Sequence, residues 1–323
     1  MYVLGIDGGG TKTAAVIADE NGTVYMKAEA GRSNPNTLNK KEFEAVLTGL
    51  LHQLREQDEE IYNRLSVCFA GMAGVGESNR QLEVKRLLSQ QLPPETLVYI
   101  ENDAVNALYS GTLGQSGIVQ ISGTGAITIG KNETGEIARV GGWGYLFDDF
   151  GSGYDLGNQA LQAVFQAYDG REYQTALTEK VLNYFRVERV PDTIERIYSE
   201  EHPRTIIAPL SRIVVEAASE GDSIALRIIE KASRQMAESI ITCHNKLFAK
   251  EETVKVVLSG GVFTNFVLFR KMIENHTCSK LPNLEYIPSV IPPVGGAVAA
   301  GFSVMGVNLG EKFIEVFKEG VSR

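Results

Sequence analysis

Cysteine is scarce in this sequence of 323 residues, and the three that occur, Cys68, Cys243 and Cys278, lie far apart. None of them forms a C-x-x-C pair, so the sequence favours neither a zinc site nor an iron–sulfur cluster nor a disulfide framework. The four histidines show no H-x-x-x-H spacing. These residues are therefore expected to be structural or exposed rather than metal ligands.

An excess of basic charge is also missing. The chain has 31 lysines and arginines against 40 aspartates and glutamates, which gives a net charge of −9. This balance argues against a nucleic-acid partner and against an anionic membrane surface. A nucleotide ligand remains compatible with it, because a local loop together with Mg²⁺ binds phosphate even in an acidic protein.

Long hydrophobic runs are equally rare. The longest candidate, residues 289–310, has no charged side chain but contains two prolines and several glycines. It predicts a buried helix after a loop rather than a membrane span. At the N-terminus no basic stretch precedes the apolar residues 2–6, so no signal peptide is expected and the predicted location is cytoplasmic.

A glycine-rich turn, by contrast, occurs twice. Residues 3–13 and 118–127 each contain an apolar run, a small polar residue, a glycine-rich turn and a second apolar run. Such a pattern predicts a β-hairpin whose glycines let backbone N–H groups approach phosphate oxygens closely. Two such hairpins predict one nucleotide held between the halves of a duplicated fold.

The first turn reads Asp7-Gly-Gly-Gly-Thr-Lys-Thr13 and matches neither a Walker A loop nor the G-x-G-x-x-G motif. A plain hairpin uses glycine for positive φ angles, but three in a row flanked by these polar residues exceed that need. We therefore expect phosphate contacts from this turn. The candidate residues are Gly9, Gly10, Thr11, Lys12 and Thr13.

Two further glycine motifs favour the same ligand. The second turn contributes Gly123 and Thr124, a weak motif alone that gains weight as a repeat of the first. Gly260 and Gly261 close a predicted strand, the place where nucleotides bind in open α/β sheets. Alone, this pair also fits an ordinary turn into a helix.

Carboxylates occur at two other notable places. Asp103 follows a predicted strand and begins a predicted helix, where its simplest interpretation is a helix N-cap. The glycine-rich segment 141–153 combines the only tryptophan, Trp143, with Asp148 and Asp149. An aromatic ring beside carboxylates and backbone amides is typical of a sugar-binding site, although a packed loop has the same composition.

In their order along the chain, these motifs resemble the N-acetylglucosamine kinase branch of the BadF/BadG/BcrA/BcrD ATPase family, within the actin, sugar kinase and Hsp70 superfamily. The cysteines that hold an iron–sulfur cluster in other members are missing, as is the zinc cluster of the repressor and open-reading-frame kinases. In the acidic loop, Phe150 stands where the family has an acidic residue. The motifs that carry the resemblance are Asp7–Thr11, Asn34, Asn102–Ala104, Ser122–Gly125, Gly141–Gly144, Asp149–Ser152, Ser259–Val262 and Gly295–Ala297.

The resemblance implies an α/β fold made of two duplicated ribonuclease H-like domains with an interdomain ATP cleft. On this basis residues 1–115 form the N-terminal domain, and residues 116–299 form a C-terminal domain that contains a helical insertion. The C-terminal helix, about 300–323, packs back on the first domain.

The implied activity is transfer of a phosphoryl group from Mg·ATP to the 6-hydroxyl of N-acetylglucosamine or N-acetylmuramic acid, in amino-sugar metabolism and cell-wall recycling. Asp7 would hold Mg²⁺, and Asp103 would accept the proton of the sugar hydroxyl. The implied sugar-binding residues are Asn34, Asp103, Gly142, Trp143 and Asp149. The resemblance also implies a homodimer.

Two other functions remain open at this level. The first is an ATPase module of the BadF type, in which ATP hydrolysis drives a partner protein and no small molecule is phosphorylated. The second is a sugar sensor built on a kinase fold. The Trp143–Asp149 loop and Asp103 argue against the first, because a pure ATPase has no need of them.

Overall fold

The computed structural model describes residues 1–75 and 78–322, with the side chains of Ser78 and Asn79 left aside. The chain divides into two compact units. The first consists of Met1–Gly117 together with Ser289–Arg323, and the second is Ile118–Pro288. Each unit is built around one five-stranded sheet.

The sheet of the first unit has the order β3-β2-β1-β4-β5. The first three strands along the chain pair antiparallel, while β1, β4 and β5 pair parallel. Central strands of such a sheet are covered on both faces, which explains why the interior of β1 is almost entirely apolar and buried. The strands are β1 (Tyr2–Gly8), β2 (Lys12–Ala18), β3 (Val24–Gly31), β4 (Leu65–Met72) and β5 (Leu97–Glu101).

The sheet of the second unit has the order β10-β9-β6-β7-β8. Its parallel strands are β6, β9 and β10, and β7 pairs antiparallel with β8. Read from its other end, this order repeats that of the first sheet, so the duplication predicted from the glycine turns and the α/β fold class are confirmed. The strands are β6 (Gly117–Ser122), β7 (Ala126–Lys131), β8 (Ile137–Val140), β9 (Val254–Ser259) and β10 (Leu284–Pro288).

Helices cover the sheets, and most of the helices in the second unit form an insertion between β8 and β9. A short 3₁₀ helix, Val190–Asp192, also lies in this insertion. The α-helices are α1 (Lys40–Gln57), α2 (Glu59–Tyr62), α3 (Ser78–Ser89), α4 (Asp103–Thr112), α5 (Gly153–Tyr168), α6 (Leu177–Phe185), α7 (Thr193–Tyr198), α8 (Arg204–Ile207), α9 (Leu210–Ser219), α10 (Ser223–Leu247), α11 (Phe266–Thr277), α12 (Pro293–Val304) and α13 (Glu311–Ser322).

Two apolar clusters hold the first unit together. One contains residues of β1, β4 and α1, and α1 begins with a capping box between Asn39 and Glu42. The other joins β1 and β4 to α12 and α13, with Phe302, Phe313 and Phe317 at its centre. The residues at the C-terminal end of the chain are therefore part of the first unit's core.

The division of the chain differs from the predicted one at residues 289–299. The sequence prediction assigned them to the second domain, but they belong to the first unit, where α12 packs against β1 and α4. The helix is apolar around its whole circumference, so it is buried there on all sides. This helix belongs to the long uncharged stretch of the sequence. In the described part of the chain, no helix combines the length and hydropathy that a membrane crossing needs.

Candidate active site

The polar residues of the first unit that the sequence singled out follow strands that end at one edge of its sheet. Because β1, β4 and β5 are parallel, their carboxyl ends lie side by side. Asp7 lies at the end of β1, and Asp103 follows β5. Antiparallel pairing places Gly31, the last residue of β3, opposite Lys12, so the segment that contains Asn34 leaves the sheet at the same edge.

Asp7 is half-buried and held by an asparagine that the sequence analysis did not single out. Asn106 Nδ2 donates a hydrogen bond of 2.8 Å to Asp7 Oδ1. Burial raises the pKa of Asp7, while the hydrogen bond from Asn106 and the positive charge of Lys12 act in the opposite direction. The Lys12 ammonium itself pairs with Glu29 Oε1 at 3.1 Å on the exposed surface.

Asp103 is the first residue of α4 and not its cap. The N-cap is Asn102, whose side chain accepts a 3.0 Å hydrogen bond from the Ala104 amide, so the simplest interpretation of Asp103 from the sequence is wrong. Burial and, next, the negative charge of Asp7 raise the pKa of Asp103 to about 6. A carboxyl group with such a pKa is mostly ionised at neutral pH and still takes up a proton readily, which suits a general base.

The first glycine turn is open at Gly10. The Gly9 amide donates to the Lys12 carbonyl at 2.9 Å and closes the turn, yet neither Gly9 nor Gly10 adopts a positive φ. A side chain at Gly10 would meet no atom within 4 Å. The fold of the turn therefore does not require glycine at this position, whereas close approach of a ligand to the backbone does.

The polar residues of this turn differ in their exposure. Thr11 and Lys12 are exposed, but Thr13 is fully buried and donates from Oγ1 to the Gly31 carbonyl at 2.8 Å. The hydroxyl of Thr13 links β2 to β3. It is not available for the phosphate contact expected from the sequence.

Asn34 lies in a tightly packed loop. Its Oδ1 accepts a hydrogen bond of 2.9 Å from the Asn36 amide. A side chain at Gly74, in the loop after β4, would come within 2.5 Å of the same oxygen. Because Oδ1 is engaged in this way, the orientation of the carboxamide is fixed, and its NH₂ group is the part that can donate to a ligand.

The second glycine turn is tied to two neighbouring segments of its unit. The Gly153 amide at the start of α5 donates to the Gly123 carbonyl at 2.7 Å, and the Val262 amide donates to the Ser122 carbonyl at 3.0 Å. Gly260 has a φ of +111°, and a side chain there would lie 2.4 Å from the Ser122 carbonyl oxygen. Glycine is therefore required at position 260.

A pocket of about 390 Å³ within the second unit brings together three of the residues predicted to bind nucleotide, Gly123, Thr124 and Gly261. Arg212, an exposed cation that the sequence analysis missed, lines the same pocket. The other lining residues are Thr205, Ala208, Pro209, Ser211 and Val262. The pocket combines backbone donors, hydroxyls and one positive charge, as a phosphate-containing ligand requires.

Asp149 occupies a more constrained position than the sequence suggested. It has a positive φ of 59°, is almost completely buried, and pairs with Arg204 Nη2 at 3.3 Å. Burial raises the pKa of Asp149, and the Gly144 amide and the Arg204 guanidinium lower it. The carboxylate lies beside Gly125 of the second glycine turn, where a side chain would meet it at 2.7 Å. Asp149 thus stands in an ion pair and not on an open surface.

Trp143, in contrast, is presented to solvent, with 66% of its surface exposed. Gly141 and Gly142 both have positive φ angles, of 73° and 75°, and shape the loop that carries it. The Arg139 guanidinium lies 4.2 Å from the centre of the indole ring and holds it in place. Phe150, in the same loop, is also exposed.

A magnesium ion fits the carboxylates of the first unit. Among the described residues there is no cluster of three acidic, histidine or cysteine side chains that would hold a metal by itself. Mg²⁺ commonly takes only one or two carboxylates and completes its shell with water and substrate phosphates. Asp7 and Asp103 are partly shielded from water, and the negative charge of Asp7 disfavours ionisation of Asp103. A bound cation would offset the free-energy cost of keeping both carboxylates ionised.

Comparison with known proteins identifies the family to which a chain with this fold and these motifs belongs. The model of the BadF/BadG/BcrA/BcrD ATPase family matches residues 4–300, a range that contains both glycine turns and all of both sheets except the first two residues of β1. The chain belongs to the BadF/BadG/BcrA/BcrD ATPase family. ATP is the nucleotide that membership of this ATPase family implies.

The chain is also similar to proteins named as amino-sugar kinases. It is 33% identical over 278 residues to the N-acetylmuramic acid/N-acetylglucosamine kinase of Clostridium acetobutylicum, which covers 84% of this chain and 90% of that protein. It is 32% identical over 308 residues to the N-acetyl-D-glucosamine kinase of Dictyostelium discoideum, with 91% and 95% covered. The resemblance carried by the sequence motifs is thus confirmed.

The fold is shared with solved structures as well. A candidate N-acetylglucosamine kinase from Chromobacterium violaceum superposes with a TM-score of 0.67 at 25% sequence identity. The match covers 93% of this chain and 98% of that one. The two-unit α/β fold of this chain is therefore that of sugar kinases.

The raised pKa of Asp103 predicts a pH dependence of stability. The folded protein binds this proton more tightly than the unfolded chain, because the pKa rises from 3.8 to about 6 on folding. The resulting stabilisation is fully present below about pH 4 and is lost as the pH rises through about 6. Asp103→Asn removes this dependence, so its Tm relative to the unmodified protein should increase by roughly 2–5 °C between pH 4.5 and pH 8.

Thermal unfolding of both proteins across this pH range measures the effect. Glu133→Gln, in the exposed turn between β7 and β8, serves as the matched control and should show a constant Tm difference. An Asp103→Asn difference that is equally constant would mean that Asp103 is not the perturbed group.

Proposed function

We propose that this protein is an ATP-dependent kinase that phosphorylates an N-acetylated amino sugar, N-acetylglucosamine, N-acetylmuramic acid or both, at the 6-hydroxyl. The observation that carries the proposal is Asp103, a half-buried carboxyl group at the edge of the first sheet whose pKa is raised to about 6 by burial and by the charge of Asp7, a second carboxylate suited to Mg²⁺. An ATPase that only drives a partner protein needs the metal but not this base. The similarity to two amino-sugar kinases supports the same choice of acceptor.

Phosphoryl transfer depends mainly on positioning and on neutralising the charge of the transferred group. Mg²⁺, when bound, would offset the phosphate charge, and Asp7 would hold it mainly through water. The backbone amides of Gly9 and Gly10 and the exposed hydroxyl of Thr11 would donate hydrogen bonds to phosphate oxygens. Lys12 would add a positive charge at the rim of the turn.

The second unit carries its own residues assigned to nucleotide binding. Gly123 and Thr124 would contact phosphate oxygens, while Gly260 and Gly261 would contact the adenosine. The pocket that contains Gly123, Thr124 and Gly261 supports this assignment.

Asp103 would act as the general base. As the sugar hydroxyl oxygen forms its bond to the γ-phosphorus, the bond from that phosphorus to the bridging oxygen of ADP breaks. The hydroxyl proton moves to the Asp103 carboxylate and later to solvent. A pKa of about 6 allows both steps near neutral pH.

Each residue assigned to the sugar would make a different contact. Asn34 would donate to the acetamido or a hydroxyl oxygen, the Gly142 backbone would pair with the acetamido group, and Trp143 would form an apolar wall against the ring. Asp149 would accept from a hydroxyl while it keeps its ion pair with Arg204. Phe150 in place of an acidic residue removes a like charge near the lactyl carboxylate of N-acetylmuramic acid, which supports a dual specificity.

The role of Asp103 predicts a specific kinetic defect. Asp103→Asn keeps the size of the side chain but loses the base, so kcat should fall on the order of 10²–10⁴-fold. The affinity for ATP, measured by calorimetry, should change little, because Asp103 contacts the acceptor and not the nucleotide. Near-normal turnover of the variant would exclude Asp103 as the base.

Sugar choice tests the proposed acceptor most directly. With ATP present, kcat/KM for glucose should be roughly 100-fold or more below that for N-acetylglucosamine, because a missing acetamido group leaves buried polar groups unpaired. The phosphorylated product is measured for glucose, N-acetylglucosamine and N-acetylmuramic acid under one set of conditions. Equal values for glucose and N-acetylglucosamine would show that the proposed acetamido pocket does not exist.

A matched pair of variants isolates the contribution of Phe150. Phe150→Glu should reduce kcat/KM for N-acetylmuramic acid more than that for N-acetylglucosamine, because it restores a charge that repels the lactyl carboxylate. Phe150→Gln, of similar size but neutral, is the control and should spare this preference. Equal losses for both sugars with both variants would contradict the charge argument.

A further inference from the structure

Asn106 makes an unusual set of contacts at the carboxyl edge of the first sheet. It lies in α4, one helical turn after Asp103, and its side chain is completely buried. Its Nδ2 donates to Asp7 Oδ1 at 2.8 Å, to the Gly71 carbonyl at 3.1 Å and to the Ile6 carbonyl at 3.2 Å. One amide group thereby connects α4 to β1 and β4.

Two glycines make room for Asn106, one beside its side chain and one beside its backbone. A Cβ atom at Gly71 would lie 2.2 Å from Asn106 Oδ1 and 2.4 Å from Nδ2. A Cβ atom at Gly296, on α12, would lie 1.9 Å from the Asn106 carbonyl oxygen. The carboxamide is thus enclosed on the strand side, and the backbone that carries it is enclosed on the helix side, so neither has freedom to move.

The orientation of the carboxamide follows from its neighbours. Three oxygen acceptors surround Nδ2, so the amide nitrogen and not the oxygen must face Asp7. Oδ1 is left buried without a hydrogen-bond partner among the described residues. An unpaired buried acceptor destabilises a fold. The structure therefore keeps a neutral hydrogen-bond donor at Asp7 even though this leaves Asn106 Oδ1 buried and, within the described part of the chain, unpaired.

We propose that Asn106 is a positioning residue that fixes the carboxylate of Asp7 for metal binding and keeps it in register with Asp103. The inference rests on the proposed function, because it assigns Asp7 to Mg²⁺. By occupying Oδ1, the amide sets the rotamer of Asp7 and leaves Oδ2 as the oxygen that serves the metal. A neutral donor does this without competing with the cation, as a lysine or arginine would.

The position of Asn106 on α4 explains how Asp7 and Asp103 keep a fixed position relative to each other. Residues three apart lie on the same side of a helix, so Asp103 and Asn106 move together with α4. The hydrogen bonds of Asn106 to β1 and β4 anchor that side of the helix to the strand that carries Asp7. The metal-binding carboxylate and the base are in this way held by one rigid connection.

Mn²⁺ binding in the presence of ADP, followed by electron paramagnetic resonance, tests this role without relying on turnover. Asn106→Ala should weaken Mn²⁺ binding roughly 10–100-fold, the usual effect of removing a group that orients a metal ligand. Ser110→Ala is the matched control. Ser110 is buried in the same helix and bonds to the Ala107 carbonyl and Ser289, away from Asp7, so Mn²⁺ affinity should stay within about twofold.

A double-mutant cycle separates positioning from general stability. If Asn106 acts through Asp7, then adding Asn106→Ala to Asp7→Asn should cause no further loss of Mn²⁺ affinity. Gly71→Ala provides a second route, since its methyl group displaces the carboxamide without removing it, and it should lower Mn²⁺ affinity in the same way. Thermal unfolding identifies the variants that remain folded.

The outcomes are distinct. A folded Asn106→Ala or Gly71→Ala variant that binds Mn²⁺ as tightly as the unmodified protein would overturn the inference. So would an equal loss on both backgrounds of the cycle. An unmodified protein that fails to bind Mn²⁺ with ADP would overturn the metal role of Asp7 itself, and with it both the inference and that part of the proposed function.

Discussion

Negative charge withdrawn from water is the constraint on which the first unit depends. Asp7 and Asp103 are brought to one sheet edge by parallel strands, and burial raises the pKa of both carboxyl groups. Neither pKa shift benefits the fold at neutral pH, because each reflects the cost of holding a charge in a place with little water. Such an arrangement persists where function requires it, and a cation bound during the reaction would relieve it.

The duplicated hairpins show how one architecture serves two tasks. In the first sheet the residue before the glycine turn is Asp7, an acid, and in the second sheet it is Ser122, which is buried and neutral. Both turns are tied to the loop after a neighbouring strand: the Ala73 amide donates to the Gly8 carbonyl at 2.7 Å, and the Val262 amide donates to the Ser122 carbonyl at 3.0 Å. Both are also open at one glycine, Gly10 or Gly123, where a side chain would meet no atom within 4 Å. The same backbone form thus carries an acid in one unit and a neutral hydroxyl in the other; the proposed function assigns metal binding to Asp7 and phosphate binding to the turn that follows Ser122.

Much of this could be predicted from local sequence patterns. The paired turns predicted the duplication, and a carboxylate directly after a strand predicted its place at a sheet edge. The contacts that tune the site could not be predicted in this way. Asn106 meets Asp7 across 99 residues, and Arg204 meets Asp149 across 55, so no local pattern pairs them.

Burial likewise separates residues that look equivalent in sequence. Thr11 and Thr13 flank Lys12 in the same motif, but Thr13 lies within β2 and faces the core, whereas Thr11 precedes the strand in the turn and stays exposed. The place of residues 289–299 was missed for a related reason. An apolar helix has the same sequence pattern whichever core it joins. Only the packing of α12 on α4 and β1 shows to which unit it belongs.

The coupling of ATP consumption to sugar phosphorylation tests the central claim most directly. ADP and sugar phosphate are quantified together while N-acetylglucosamine or N-acetylmuramic acid is added in increasing amounts. The account predicts negligible ADP formation without an amino sugar and one sugar phosphate for each ADP formed in its presence. ADP formation that proceeds at the same rate without any sugar, and with no phosphorylated sugar when one is added, would contradict it and identify the protein as an ATPase that serves a partner.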